Sequence, residues 1–307
     1  MTNAKPRLAL VIGILCISIF PILVKIKLTP GLISAFYRMA IAVSLLLPYV
    51  LIKKKFSLPK TNILLLAILC GILFASDVAM WNIAIQESSA TQASLLTNLS
   101  PLWVGIISFA FFRTKPATNF WIGTSIALFG MAMLVGFQFF IELNFDRAFI
   151  LAVLSGILYS IYLLVSKKAL SEADVLSFMI ISLSSSAIYL GIVCLLLQEP
   201  FFGFTDLGWL VLFIQAVVCQ LMAWLSISYA TKHMRATRIS LSLLGQAVLT
   251  SILAWLFLDE QITLNMIIGG IILLLGIRTT FYTKTLSIKN IFNKAKAGSS
   301  LATQKKV

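Results

Sequence analysis

The chain is dominated by apolar runs of about twenty residues, and these runs constrain its fold more than any other feature. A helix rises 1.5 Å per residue, so about twenty residues cross the roughly 30 Å of hydrocarbon in a bilayer. Inside lipid the backbone must satisfy its own hydrogen bonds, which favours helices over strands. The sequence therefore predicts an all-α integral membrane protein.

Ten such runs can be delimited, and 60% of the residues are apolar while 11% are charged. A soluble domain of this length would carry roughly twice that charge, so we expect none. We predict transmembrane helices at residues 7–26, 32–52, 63–84, 91–112, 120–137, 148–165, 175–197, 207–229, 237–258 and 264–282.

The basic residues indicate how the helices are oriented. Nineteen lysines and arginines fall on one side of the predicted membrane and three on the other. The positive-inside rule then places both termini in the cytoplasm. The abundance of lysine, isoleucine and asparagine is typical of an AT-rich bacterial genome, so we expect the bacterial inner membrane. We interpret the net charge of +14 as a topology signal and not as a nucleic-acid surface. The same basic residues attract the anionic lipids of the inner leaflet. Residues 285–307 are expected to form a basic, disordered cytoplasmic tail.

One stretch of the sequence occurs twice. Residues 84–131 align without a gap on residues 230–277, an offset of 146. The informative identities are polar or small: the pattern Ala-Thr-x-x-Ser-Leu at 90–95 and 236–241, and glycine pairs seven residues apart. We predict an internal duplication, with a first half at residues 1–142 and a second half at residues 143–284.

Five spans per half is an odd number, so the halves must insert in opposite directions. Inverted copies of one fold are a hallmark of secondary transporters, which bind substrate between the copies. We therefore expect ten transmembrane helices arranged as two inverted five-helix repeats that work by alternating access.

Several segments resemble a known family. The segments 76–82, 90–102, 240–244 and 258–262, together with Arg38 early in the second span, are similar to signatures of the drug/metabolite transporter superfamily, in particular its EamA-like transporter family. The resemblance implies an exporter of small organic metabolites such as amino acids, nucleotide-like compounds, polyamines or drugs. The chain departs from the usual pattern at Arg113–Lys115, where the family has an acidic residue, and at Gln246-Ala247, where it has proline. These departures weaken the transfer of any one relative's substrate.

Two charges lie inside predicted spans, Arg38 and Asp77. Each costs roughly 2.5–3.5 kcal/mol to insert and is usually retained for a reason. Both are about 10 Å below the outer ends of their spans. They form either a structural ion pair between the second and third spans, or a pair of cavity groups that bind charged parts of the substrate or take up a coupling proton.

Uncharged candidates complete the predicted substrate-binding or coupling set. Polar groups at mid-depth either line a cavity or form hydrogen bonds between helices, and the members are Asn98, Ser100, Tyr159, Gln220 and Gln246. Trp81 follows Asp77 by one turn, which suits a cationic or aromatic cargo or a tryptophan belt at the interface. Trp224 follows Gln220 at the same spacing, and it too either contacts the cargo or belongs to the tryptophan belt. The paired glycines are expected to be helix-packing positions.

Nothing in the sequence indicates catalysis or a cofactor. No phosphate-binding loop, metal-ligand spacing or Ser/His/Asp arrangement is present, and the four cysteines fall within apolar runs. We therefore predict no catalytic residues, no metal and no cofactor. His233 lies in a cytoplasmic loop among basic residues.

The predicted function is a secondary transporter of small organic metabolites across the inner membrane. Export is favoured over uptake only by the family resemblance. Two alternatives stay open: an uptake or exchange carrier for a nucleotide-like or amino-acid-derived solute, and a non-transport membrane protein such as a scramblase. The expected partners are a small-molecule substrate and the lipid bilayer.

Overall fold

The computed structural model describes residues 4–87, 96–110, 116–136, 146–258 and 261–281, and the regular structure in these segments is entirely helical. The helices are α1 Ala4–Ile17, α2 Phe20–Lys25, α3 Gly31–Ile52, α4 Thr61–Glu87, α5 Ser100–Ala110, α6 Thr118–Val135, α7 Arg147–Glu172, α8 Val175–Leu196, α9 Asp206–Ile214, α10 Ala223–His233, α11 Ala236–Leu243, α12 Gly245–Leu258 and α13 Leu264–Thr279. A π-helical segment, Gln215–Met222, joins α9 to α10.

Eight helical stretches are long and apolar enough to cross a membrane, and they coincide with eight of the ten predicted spans. The fourth and tenth predicted spans coincide in part with the shorter apolar helices α5 and α13. Residues 91–95 and 111–112 of the fourth predicted span lie outside the described residues. The all-helical, multi-pass membrane class is confirmed, and the count of ten spans stays a prediction.

Three of the apolar stretches are interrupted near their middle. The chain turns at Ser18 and Ile19 between α1 and α2, at Asn98 and Leu99 before α5, and at Leu244 between α11 and α12. Pro21 at the start of α2 explains the first interruption, because it has no N–H to donate. The second and third interruptions fall at equivalent positions of the duplicated sequence, since Asn98 and Leu244 are 146 residues apart.

Helices α6 and α13 pack against each other in an antiparallel arrangement. Gly123 faces Gly276, and Gly130 faces Gly269. A Cβ atom built on any of these glycines would lie 2.6–2.7 Å from the carbonyl oxygen of its facing glycine. Only glycine permits so close an approach of two backbones, so the predicted packing role is confirmed at these four positions.

Contacts between the two halves recur in matched sets. The contact of α4 with α7 is matched by that of α1 with α10. The contact of α4 with α8 is matched by that of α3 with the π segment, and the contact of α5 with α7 by that of α1 with α12. In each matched pair, the second contact joins the two helices that are equivalent, in the duplicated sequence, to the helices of the first contact. The largest buried apolar cluster draws on helices of both halves, so the core lies where the halves meet.

Candidate substrate site

A cavity of about 120 Å³ lies between the two halves. All three interrupted stretches contribute residues to its wall, among them Phe20, Asn98 and Leu244, so irregular backbone reaches the cavity. Seven of the eight predicted site residues line it: Arg38, Asp77, Trp81, Asn98, Ser100, Tyr159 and Gln246. The eighth, Gln220, lies behind the wall, where it is hydrogen-bonded to Arg38.

Arg38 on α3 is held by the second half of the chain. Its side chain is 1% exposed, and its Nε donates a hydrogen bond of 2.7 Å to Oε1 of Gln220. Its Nη2 donates to the carbonyl oxygen of Cys219 at 3.2 Å. The guanidinium also lies 4.0 Å from the ring centroid of Phe20, which adds a cation–π contact. Both hydrogen-bond acceptors belong to the π segment, and such segments are often found at functional sites.

Asp77 on α4 is held by a different helix of the second half. It is 6% exposed, and its Oδ1 accepts a hydrogen bond of 2.6 Å from the hydroxyl of Ser155 on α7. Among the described residues, Asp77 and Arg38 make no salt bridge with each other. The ion-pair interpretation of these two residues is therefore not realised in this structure. Two opposite charges instead line one cavity, each fixed by its own partner.

Aromatic rings form two walls of the cavity. Phe20 stacks on Trp81 with ring centroids 5.2 Å apart, so Trp81 packs inside the protein and not in an interfacial belt. On the second wall, Trp224 lies 4.4 Å from Phe74 and 6.2 Å from Tyr159, measured between ring centroids. The indole Nε1 of Trp224 is buried and has no hydrogen-bond partner within the described part of the chain.

Two amide side chains face the cavity. Asn98 and Gln246 are both half-buried, and neither side chain forms a hydrogen bond within the described segments. Each lies beside an interrupted helix, Asn98 before α5 and Gln246 at the start of α12. Helix-to-helix hydrogen bonding is thus realised for Gln220, while the amides of Asn98 and Gln246 are available to a ligand.

Sequence reasoning missed two residues that shape this site. Ser155 positions Asp77, but a serine in an apolar helix often bonds only to its own backbone and so gives little signal. Phe20 covers Arg38, but a phenylalanine in a membrane span is equally typical of a lipid-facing position. Pro21, directly after it, was the available sign that the backbone is irregular there.

A cavity that holds two charged side chains between the two halves of a multi-pass protein is typical of a membrane transporter. The chain belongs to the EamA-like transporter family, whose model matches residues 5–136 and again residues 146–282. The resemblance predicted from the sequence is thereby confirmed.

Relatives and a solved structure agree with this class. An uncharacterised transporter of Bacillus subtilis (strain 168), YdfC, is 25% identical over 268 residues, covering 86% of this chain and 85% of the relative. An uncharacterised transporter of Clostridium kluyveri is 27% identical over 241 residues, covering 75% of this chain and 77% of the relative. One crystal structure of a protein superimposes with a TM-score of 0.74 at 15% identity, over 91% of this chain and 98% of the other. The last comparison shows the fold alone.

Proposed function

We propose that this chain is a secondary transporter that exports small zwitterionic metabolites, amino acids or related compounds, across the bacterial inner membrane by alternating access. One observation carries the proposal: Arg38 and Asp77 line the same cavity without pairing with each other. A cargo with a carboxylate and an ammonium group supplies each of them with a counter-charge in direct contact.

The chemistry of the wall fits such a cargo. A guanidinium binds a carboxylate through charge-assisted hydrogen bonds, and a carboxylate binds an ammonium in the same way. The amides of Asn98 and Gln246 can donate to or accept from the cargo, and the aromatic rings suit its apolar part or its cation.

The size of the cavity limits the cargo in this conformation. Its volume of about 120 Å³ is somewhat smaller than an engineered cavity of about 150 Å³ that binds benzene. Only a compact molecule fits without movement of the helices. Larger substrates require the two halves to separate, as alternating access predicts.

Several observations support ten helices in two inverted repeats. The family model matches the chain twice, once within each predicted half. Helices α6 and α13 end the two halves and run antiparallel, with glycines meeting reciprocally across them. The inter-half contacts recur in exchanged sets, and the interruptions at Asn98 and Leu244 are equivalent. The uneven distribution of lysine and arginine supports cytoplasmic termini.

Three matched probes test the charge assignment. Leucine carries both charged groups, isopentylamine lacks the carboxylate, and 4-methylpentanoate lacks the ammonium. A ligand that binds only the folded state raises the unfolding midpoint of the full chain. We expect leucine to stabilise the protein more than either analogue, and Arg38→Gln and Asp77→Asn to abolish the advantage. Equal effects of the three probes across a panel of amino-acid side chains would overturn the zwitterion assignment.

Flux in proteoliposomes tests the transport mode. We expect solute movement across the bilayer without ATP, since the sequence contains no phosphate-binding loop. Acceleration of uptake by solute on the opposite face would indicate an exchanger. Movement of labelled lipid without any solute flux would replace the transporter with the scramblase-like alternative.

A further inference from the structure

Two arginines from distant parts of the chain contact one phenylalanine ring. The guanidinium carbon of Arg7 on α1 lies 5.3 Å from the ring centroid of Phe281, and that of Arg238 on α11 lies 5.7 Å from it. The Nε of Arg238 also donates to the carbonyl oxygen of Thr280 at 3.2 Å. Arg235 is the N-cap residue of α11, and its carbonyl oxygen accepts a hydrogen bond of 3.0 Å from the backbone N–H of Arg238. Two guanidinium groups therefore meet at one ring, and a third arginine lies one helical turn from Arg238.

This cluster contains positive charge only. Within the described ranges, none of the three arginines forms a salt bridge with a carboxylate. Arg7 and Arg235 are exposed and Arg238 is half-buried. Like charges held together repel one another, so an anion bound among them relieves a cost that the protein otherwise carries.

The lysines at two neighbouring helix ends behave differently. The Nζ of Lys167 donates to the carbonyl oxygens of Thr231 and Lys232, each at 2.8 Å. The Nζ of Lys232 donates to the carbonyl oxygen of Ala173 at 2.7 Å. These ammonium groups satisfy backbone carbonyls near the ends of α10 and α7. Among the described residues the side chains of the arginine cluster make one such bond, from Arg238 to Thr280.

The cluster lies where the chain leaves the apolar spans, next to an exposed apolar surface. Arg7 is followed on α1 by Leu8, Val11 and Leu15, which are 62%, 52% and 50% exposed. A phospholipid matches both features, because its phosphate suits guanidinium groups and its acyl chain suits the apolar side of α1.

We propose that Arg7, Arg235 and Arg238 form a binding site for the phosphate of an anionic phospholipid. The bound headgroup joins the ends of α1, α11 and α13, which are also linked by the contacts of Arg7 and Arg238 with Phe281 and by the Arg238 hydrogen bond to Thr280. This site is separate from the transport cavity, so the proposal does not depend on the identity of the cargo.

The test compares two double variants of the full chain that remove the same charge. Arg7→Gln with Arg235→Gln alters the exposed members of the cluster and leaves the Arg238 hydrogen bond to Thr280 intact. Lys53→Gln with Lys60→Gln is the control, because both lysines are exposed and predicted to lie on the same membrane face. Each protein is unfolded thermally in phosphatidylcholine nanodiscs, with and without phosphatidylglycerol, and separately with inorganic phosphate.

Phosphatidylglycerol should raise the unfolding midpoint of the parent and of the lysine control by about 2–4 °C. The arginine variant should melt like the parent in pure phosphatidylcholine, which shows that it is folded, and gain nothing from phosphatidylglycerol. An equal gain in both variants would overturn the proposal, because the effect would then follow net charge alone. An equal gain from inorganic phosphate without anionic lipid would also overturn it, and would assign the arginines to a soluble anion.

Discussion

The Nε of Arg38 donates its hydrogen bond to Gln220, 182 residues further along the chain. This contact ties α3 to the π segment and leaves the rest of the guanidinium beside the cavity. The charge of Arg38 is stabilised by a neutral amide and a backbone carbonyl instead of by a salt bridge with Asp77. The arrangement keeps Arg38 ordered while its charge remains available to a ligand.

Replacing Gln220 by leucine should destabilise the fold. Hydrogen bonds to charged groups contribute about 1.5–3 kcal/mol, and a buried donor left unsatisfied costs at least as much. The unfolding midpoint of Gln220→Leu should fall accordingly. The matched control is Gln246→Leu, whose amide has no partner within the described part of the chain. That variant should keep its stability and lose cargo affinity, and equal destabilisation by both changes would contradict this assignment.

Asp77→Asn separates the charge of Asp77 from its hydrogen bond. The asparagine oxygen can still accept from Ser155, so the fold should be retained. We expect at least a tenfold loss of leucine binding, no loss of 4-methylpentanoate binding, and a flatter dependence of flux on pH if this carboxylate takes up the coupling proton. Thermal shifts and proteoliposome flux at two pH values measure these effects. Unchanged flux and pH dependence in a folded Asp77→Asn protein would remove Asp77 from the mechanism.

The membrane helices were predictable because lipid imposes a strict rule on composition. An apolar run of sufficient length must be a helix, and its position follows from the sequence. The interruption at Leu244 and the π segment Gln215–Met222 were not predictable, because an apolar run looks the same whether its helix is regular or broken. The interruption at Asn98 and Leu99 precedes Pro101, whereas the equivalent interruption in the second half forms without a proline.

Much of the candidate site was predictable for a related reason. Polar and charged groups are costly inside apolar spans, so residues such as Asp77 and Gln246 are conspicuous in the sequence. Their pairing was not predictable. Which helices meet depends on three-dimensional packing, which the sequence does not show. Asp77 could therefore be expected to pair with Arg38, whereas its hydrogen-bond partner in the structure is Ser155.

Trp224→Phe should weaken cargo binding without harming the fold. The change keeps an aromatic ring against Phe74 and removes a buried N–H that has no partner within the described segments. Because one hydrogen bond contributes about 0.5–1.5 kcal/mol, we expect roughly a two- to tenfold loss of affinity for a cargo that accepts from this N–H. The unfolding midpoint without cargo should stay the same or rise.

Trp103→Phe provides the control for this prediction. The indole Nε1 of Trp103 is also buried and unpartnered among the described residues, but Trp103 does not line the cavity. Its replacement should leave cargo affinity unchanged. Equal losses of affinity in the two variants would mean that Trp224 acts through packing and not through its N–H group.

Alanine substitutions at the crossing of α6 and α13 should separate the effect of backbone contact from that of helix propensity. A Cβ on Gly130 or Gly269 would collide with backbone atoms of the facing helix, which cannot move aside as a side chain can. Overpacking of this kind costs about 1–3 kcal/mol. At Gly270 the nearest atoms are side-chain carbons of Val248 at 3.5 Å, so Gly270→Ala should be neutral or slightly stabilising.

Because Gly130 and Gly269 share one contact, the double variant should lose less stability than the two single losses combined. Thermal unfolding of the four variants measures this, and strict additivity would show that the two glycines do not meet.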